Sequence, residues 1–278
     1  MKLLYVTDIH GVKWKYERIY ELAKDNKVDI VINGGDMLPT RPNFFIQDEF
    51  IETFLQPHFQ LYEEEGIYYL CMPGNDDLII HDELLDRTAS NFNHVHNIAQ
   101  RRYKINGFEF IGMNWVTDLP FGLKDRARMD SEDFVFPMQI GKPVISTKDG
   151  LKRLDDWFEY AKTLPTIKEE LNNLPLRDDD NKSIYVIHMP PSKLWLDVCS
   201  DRSQVGSSSI YNFLKVRQPF LSLHGHIHES AKMSNIWRNK IEDTICIQPG
   251  QSEHNDDYVI YVLIDLNTMN MKRLKAKK

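Results

Sequence analysis

Lys2-Leu3-Leu4-Tyr5-Val6-Thr7-Asp8-Ile9-His10-Gly11 sets the reading of the whole chain. A short apolar run stops abruptly at polar residues, the pattern of a buried strand that ends in a loop. The unit then repeats. Residues 28–32 run into Asn33-Gly34-Gly35-Asp36, and residues 67–71 run into Pro73-Gly74-Asn75-Asp76-Asp77. Between the first two runs, residues 14–24 carry Ile19, Leu22 and Ala23 at helical spacing. Between the second and third lies a longer amphipathic stretch, 44–62, which Pro57 is expected to interrupt. Strand, helix, strand, helix, strand implies right-handed crossovers and a largely parallel sheet. Ligands of such sheets collect beyond the carboxyl ends of the strands, where these three runs release their polar residues.

Further along, residues 95–113 read as short β segments, with Asn106-Gly107 as a hairpin turn. Residues 115–150 hold Pro120, Pro137 and Pro143 and little periodicity, too long for an ordinary connection, and are expected to form an inserted loop or lid. Leu151, Leu154, Trp157, Phe158 and Ala161 predict an amphipathic helix, 166–174 a second one, and 177–182 a solvated turn. Ser183-Ile184-Tyr185-Val186-Ile187 is another buried strand and stops at His188. Phe220-Leu221-Ser222-Leu223 leads into His224-Gly225-His226-Ile227-His228, whose alternation puts three imidazoles on one face of an extended segment. Alternating strands follow over 244–248 and 258–266, and the basic cluster 272–278 reads as a frayed end. No internal repeat or linker divides the chain, so one domain over 1–278 is expected.

Composition narrows the function classes. At 42% hydrophobic and 27% charged the 278 residues are those of an ordinary globular protein. A net charge of −7 argues against nonspecific polyanion binding, so nucleic acid is not the expected partner. Cys71, Cys199 and Cys246 cannot all pair and show no C-x-x-C spacing, which fits a reduced, cytoplasmic setting. No run approaches the roughly 18 apolar residues of a membrane span.

Five strand ends therefore deliver Asp8 with His10, Asp36, Asn75 with Asp76, His188, and the pair His226 and His228. Carboxylate, carboxamide and imidazole together suit borderline divalent cations such as Mn²⁺, Fe²⁺ or Zn²⁺ without any thiolate. Two such cations need about seven or eight ligands with one carboxylate shared, and a pair can activate water and offset charge in phosphoryl transfer. Each segment alone is a weak signal. Their order, each behind an apolar strand, is a strong one.

That order, Asp8-Ile9-His10-Gly11, Gly35-Asp36, Gly74-Asn75-Asp76-Asp77, His188 and Gly225-His226-Ile227-His228, resembles the calcineurin-like metallophosphoesterases from residue 3 to about residue 250. The resemblance implies an α/β fold, a β-sandwich flanked by helices in four αββα layers. It implies two divalent metal ions, Mn first and Fe, Zn or Ni as others. It places Asp8, His10 and His228 on one metal, Asp36 as the bridge, and Asn75, His188 and His226 on the second. It also implies that a metal-bridging hydroxide attacks a phosphomonoester or phosphodiester, with Asn75 helping to hold a phosphate oxygen. A small phosphate-ester substrate is expected. The alternatives are a nuclease, or a metal-binding interaction scaffold without activity.

One position departs from the family pattern. The third motif usually carries histidine where this chain has Asp76, and that histidine is the family's proton donor to the leaving group. An ordinary aspartate is ionised at neutral pH and donates poorly unless burial or a neighbouring carboxylate raises its pKa. Asp76 is either a weak or tuned acid, which favours good leaving groups, or a partner that orients a ligand histidine. Among weaker signals, His224 is expected to pack rather than ligate, and His81, His94 and His96 to serve the fold. Glu229 and Gln248 flank the site, where they are expected to orient His228 and close its rim. Ser207–Ser209 offer a helix N-cap or an anion site. Arg126 and Arg128 are candidates to reach a substrate phosphate.

Overall fold

The computed structural model describes residues 1–176, 178 and 182–278. Most of the expected polar turn at 177–182 lies outside them. The strand Lys2–Val6 pairs in parallel with Ile30–Asn33, which pairs with Tyr68–Cys71 and then Val95–Asn97. On its other side Lys2–Val6 meets Tyr258–Asp265 and then Asn270–Lys277, both antiparallel, which completes a six-stranded sheet. The basic tail is thus an edge strand rather than a frayed end. Met271 and Ala276 are buried while its lysines face out, and charged edges of this kind discourage pairing with other chains.

A second six-stranded sheet runs Arg238–Ile241, Thr244–Ile247, Leu221–Leu223, Lys182–Ile187, Phe108–Met113, Arg102–Ile105. Its four inner strands are parallel and its two edge strands antiparallel. The Asn106-Gly107 hairpin joins the last two as expected.

Alternation along the strands explains the layers. Leu3 and Tyr5 point between the sheets, into a core with Ile30, Ile32, Phe110, Val186 and Leu223. Leu4 and Val6 point the other way, onto the helices Lys13–Asp25, Gln56–Glu65 and Asp82–Ala89 through Tyr16, Phe59 and Leu85. On the far side, Ile111, Tyr185 and Ile187 pack against the helices Ile167–Asn172 and Ser208–Arg217. The result is one α/β unit of two mixed sheets between helical layers, the four-layer arrangement expected above. A sheet buried on both faces needs near-continuous apolar strands, and the sequence has them.

Two local expectations need correcting. Pro57 does not break the 44–62 stretch: a π-helical turn at Ile51–Leu55 precedes it, and Pro57 sits in the first turn of Gln56–Glu65, where its missing N–H costs nothing. The helix expected from Leu151 begins only at Trp157, behind the N-cap Asp156, because Gly150–Arg153 pairs antiparallel with Val144–Thr147. The 115–150 segment is also less irregular than its prolines suggest. Val116–Thr117 pairs with Ala127–Arg128, Leu123 bridges to Val144, and the buried Lys124 ammonium is held by Asp118 and the Leu119 carbonyl.

His58, on Gln56–Glu65, is enclosed by Tyr16, Phe54, Tyr62 and Tyr69, and its Nε2 has no hydrogen-bond partner among the described residues. Burial pushes it down to about 4. A histidine held low in the folded state takes its proton more readily when unfolded, so its cost is absent above about pH 6.5 and grows as pH falls towards 4. Between pH 7 and pH 5 the native protein is expected to lose about 2 kcal/mol through this group. The variant His58→Phe is expected to be spared that part of the loss in denaturant titrations at the two pH values; parallel losses would clear His58 of the effect.

Candidate metal centre

Both sheets feed one point. Lys2–Val6 ends at Asp8 and His10, Ile30–Asn33 at Asp36, and Tyr68–Cys71 at Asn75 and Asp76. From the second sheet, Lys182–Ile187 ends at His188 and Leu221–Leu223 at His226 and His228. All seven residues expected to ligate metal are thereby brought together.

The loops that carry them are tightly constrained. Asp8, His10, Asp36 and His226 hold φ between 48° and 71°, a left-handed conformation that Asp and His tolerate better than most residues but that still costs about 1 kcal/mol or more each. Backbone hydrogen bonds hold the first two loops in this shape: Asp8 N donates to Gly35 O at 2.9 Å and His10 N to Asp36 O at 2.9 Å. Gly74 is required by closeness, since a Cβ there would lie 2.2 Å from the Asp36 nitrogen. The sheets are stapled across the sandwich by Tyr5 Oη to His224 O at 2.8 Å, His226 N to Asp8 Oδ1 at 3.0 Å, and His188 Nδ1 to Gly34 O at 2.9 Å. That last bond places the proton of a neutral His188 on Nδ1 and leaves Nε2 facing the site.

The ligand-type atoms form two overlapping groups. Asp8, His10, Asp36 and His228 each offer one atom, all within 4.8 Å of one another, and so do Asp36, His188 and His226. Asp36 belongs to both. Asn75 Oδ1 lies 3.1 Å from His188 Nε2, beside the second group. Several buried atoms here have no hydrogen-bond partner among the described residues: Asp8 Oδ2, His10 Nδ1 and His226 Nε2. The His10 and His228 Nε2 atoms face each other at 3.0 Å, a contact in which at most one can donate. Inward-facing lone pairs and orphaned carboxylate oxygens are what a cation would satisfy, so the donor set fits divalent metal ions.

Charge follows the same logic. Burial pushes His10 and His226 down to about 3, so both are neutral and ligand-ready at physiological pH. Burial also raises Asp8. For Asp36 burial is outweighed by the charge and hydrogen bond of His188, by His10 and by the Asp76 N–H, which hold it well below the usual range. In return, and against its own burial, His188 is held up at about 9 by Asp36 and Asp8. Asp76 is pushed up to about 8 by desolvation and by Asp36 and Asp77. Without cations, four carboxylates crowd one site and protons do part of the neutralising.

Asp76 makes contacts on three sides. Its N–H donates to Asp36 Oδ1 at 2.8 Å, its Oδ1 accepts from Asn75 Nδ2 at 3.0 Å, and its Oδ2 lies 3.8 Å from His10 Nδ1. Asp77, one residue on, is buried and was not singled out in the sequence. Its carboxylate accepts from the N–H groups of Gly74, Met37 and Leu38 and so welds the Asn75 loop to the Asp36 loop. The signal for it was a carboxylate three residues after a glycine in a turn, a common way to satisfy loop N–H groups.

Several weaker expectations resolve differently. Arg126 and Arg128 do not face the site. Arg126 is buried, donating to Gly74 O at 2.8 Å and to both oxygens of Asp82, while Arg128 lies over the Trp115 ring. The helix N-terminus at Ser208–Arg217 already has its anion: Asp130 accepts from Ser209 N at 3.1 Å and from the Ser207 hydroxyl, and Ser207 caps Ile210 N. Glu229 lines the rim of the site with His228, as expected, but its carboxylate binds Ser200 rather than His228. Gln248 is buried and holds the histidine loop by its carbonyls at Gly225 and Ile227. His224 packs as expected, its Nδ1 donating to Ile187 O and Met189 O. His94 pairs with Glu63, and His96 stacks on Tyr103.

The family model for calcineurin-like phosphoesterases matches residues 1–230. The chain belongs to that family, and with it to the phosphoric ester hydrolases. Among solved structures it resembles the protein TT1561 of Thermus thermophilus, with a TM-score of 0.58 and 16% identity over 98% of this chain and 97% of that one. It also resembles a dimetal phosphatase from Danio rerio, with a TM-score of 0.54 and 9% identity over 100% and 98% of the two chains. At such identities the likeness is one of fold. No curated protein sequence matches the chain. No helix among the described residues is long and apolar enough to cross a membrane.

Cation binding is expected to displace protons from this site, because His188 and Asp76 are both raised towards protonation there while a bound cation favours the deprotonated forms. Titrating chelator-stripped protein with Mn²⁺ at pH 7 is expected to release protons, and apparent affinity is expected to rise from pH 7 towards pH 9. Calorimetry in buffers of different ionisation enthalpy reads the release. Identical heats in all buffers would show that no proton leaves.

Proposed function

We propose that the chain is a two-metal hydrolase of small phosphate esters, with Asp8, His10, Asp36 and His228 holding one divalent cation and Asp36, Asn75, His188 and His226 the other. The observation that carries this reading is the pair of overlapping ligand groups with Asp36 common to both. When bound, two such cations would offset charge on the phosphoryl oxygens and supply an activated water. The oxygen and imidazole donors, with no thiolate among them, favour Mn²⁺ as the first metal to test.

The chain's own residues then have separable tasks. Asp36 spans the two positions, with its Oδ2 3.4 Å from His188 Nε2 and 3.8 Å from His10 Nε2. Asn75 turns its Oδ1 towards His188 and has its amide nitrogen held by Asp76. Those contacts favour Asp76 as a positioning residue for Asn75 and His10 over a proton donor. Burial, Asp36 and Asp77 keep a proton on Asp76 in the absence of cations, and bound cations would remove it. A site left without that donor handles good leaving groups best, so phosphodiesters and activated esters are the preferred class. Three unpaired thiols support a reducing, cytoplasmic setting.

Hydrolysis of bis-p-nitrophenyl phosphate and of p-nitrophenyl phosphate by Mn²⁺-reloaded protein tests the reading. Diester turnover is expected, falling about a hundredfold or more in Asp36→Asn. No turnover together with fewer than two Mn²⁺ per chain would instead indicate a scaffold. The variant Asp76→Asn separates its two roles. A positioning residue is expected to cost about 10–100-fold in rate with the pH profile unchanged. If the native rate falls as pH rises through about 8 and the variant's does not, Asp76 is the proton donor.

A further inference from the structure

A cavity of about 580 Å³ opens directly onto Asp36, Asn75, Asp76, His226 and His228. Apart from Cys199 and the carboxylate of Glu229, which is bound to Ser200, most of its remaining wall is apolar. Phe44 comes from the loop after Asp36, and Leu119, Phe121, Leu123, Val144 and Leu151 come from the segment that follows Trp115. Those last residues sit on a small structured flap. Ile140 N and Gly141 N donate to Pro120 O at 3.0 and 3.1 Å, Leu123 bridges to Val144, and Val144–Thr147 pairs with Gly150–Arg153. The flap is anchored beneath by Asp125, which accepts from Ser146 N at 2.7 Å and Ile79 N at 2.9 Å.

Two properties of this wall select a ligand. Phe121 is 63% exposed and Leu151 40%, so large apolar side chains stand in water beside a site built for charge. No lysine or arginine among the described residues lines the cavity. Of the arginines in the flap region, Arg126 is spent on Gly74 and Asp82 and Arg128 on Trp115, and Arg153, exposed at the end of Gly150–Arg153, is not among the lining residues. A substrate with further phosphates or carboxylates beyond the reacting phosphoryl would find no countercharge here. An uncharged apolar group would gain by covering the exposed side chains, and two phenylalanines from separate segments favour a flat ring.

We propose that the phosphate ester this site takes carries an uncharged aromatic group, which lies against Phe44, Phe121 and Leu151 while the phosphoryl meets the metal centre. This rests on the two-metal hydrolase reading for its catalytic part only, because the wall binds independently of turnover.

The test holds the leaving group constant. The phenyl, n-hexyl and methyl esters of p-nitrophenyl phosphate all lose p-nitrophenolate as water adds to phosphorus, and they differ only in the group left on the product. With Mn²⁺-loaded protein, kcat/KM for the phenyl ester is expected to exceed that of the methyl ester by about tenfold and to exceed the hexyl ester as well. In Phe121→Ala, whose side chain is largely exposed in the native fold, the phenyl-to-methyl ratio is expected to collapse towards one. Equal phenyl and methyl rates, a hexyl ester above phenyl, or a ratio that survives Phe121→Ala would each overturn the proposal. Calorimetric binding of phenylphosphonate against methylphosphonate keeps the two readings apart. Tighter phenylphosphonate binding without ester turnover would uphold the wall and sink the hydrolase. Equal binding would sink the wall whatever the turnover.

Discussion

Asp36 is a carboxylate at 2% exposure between two sheets, within 4 Å of imidazoles from both. A charge in that position has to be matched on every side, and much of the surrounding structure does so. His188 reaches it from the second sheet, His10 from the first, and the Asp76 N–H from the third loop. The left-handed backbone at Asp8, His10, Asp36 and His226 follows from bringing five strand ends to one point, and three of the five loops carry some strain to do it. Strain persists only where surrounding bonds over-determine the geometry. Here the crossing bonds between sheets and the buried Asp77 and Gln248 supply that determination.

The same constraint explains what could be read from the chain. Strand ends were legible because a strand buried on both faces is an unbroken apolar run and its end is an abrupt change of chemistry. All seven ligand candidates lay at such changes, and all seven meet in the structure. What could not be read depended on pairing partners distant in sequence. Asn270–Lys277 looks like a soluble tail until Tyr258–Asp265 is beside it, and Gly150–Arg153 looks helical until it meets Val144–Thr147. Arg126 and Arg128 look like surface charges in a loop, because nothing in a sequence says that Gly74 O and the Trp115 ring will be their neighbours. The helix expected over 166–174 depends on local signals and forms at Ile167–Asn172, behind a reciprocal capping box of Thr166 and Glu169.

Arg126 also shows how the segment after Trp115 and the metal centre are joined. Its guanidinium binds the carbonyl of Gly74, the residue before Asn75, while the strand that follows it directly, Ala127–Arg128 paired with Val116–Thr117, roots the flap. Asp82, which takes the rest of the guanidinium, begins the helix that follows the Asn75 loop. The loop that presents Asn75 and Asp76 is therefore clamped from two directions: by Asp77 towards Asp36, and by Arg126 towards the flap. A buried arginine that loses its partners leaves an uncompensated charge, so flap and loop are energetically committed to one arrangement. It follows that the apolar wall is not an independent appendage that could drift relative to the ligands. The apolar wall and the candidate metal centre are set against each other by the same side chain, so selectivity carried by the segment after Trp115 would come without disturbing the centre beside it.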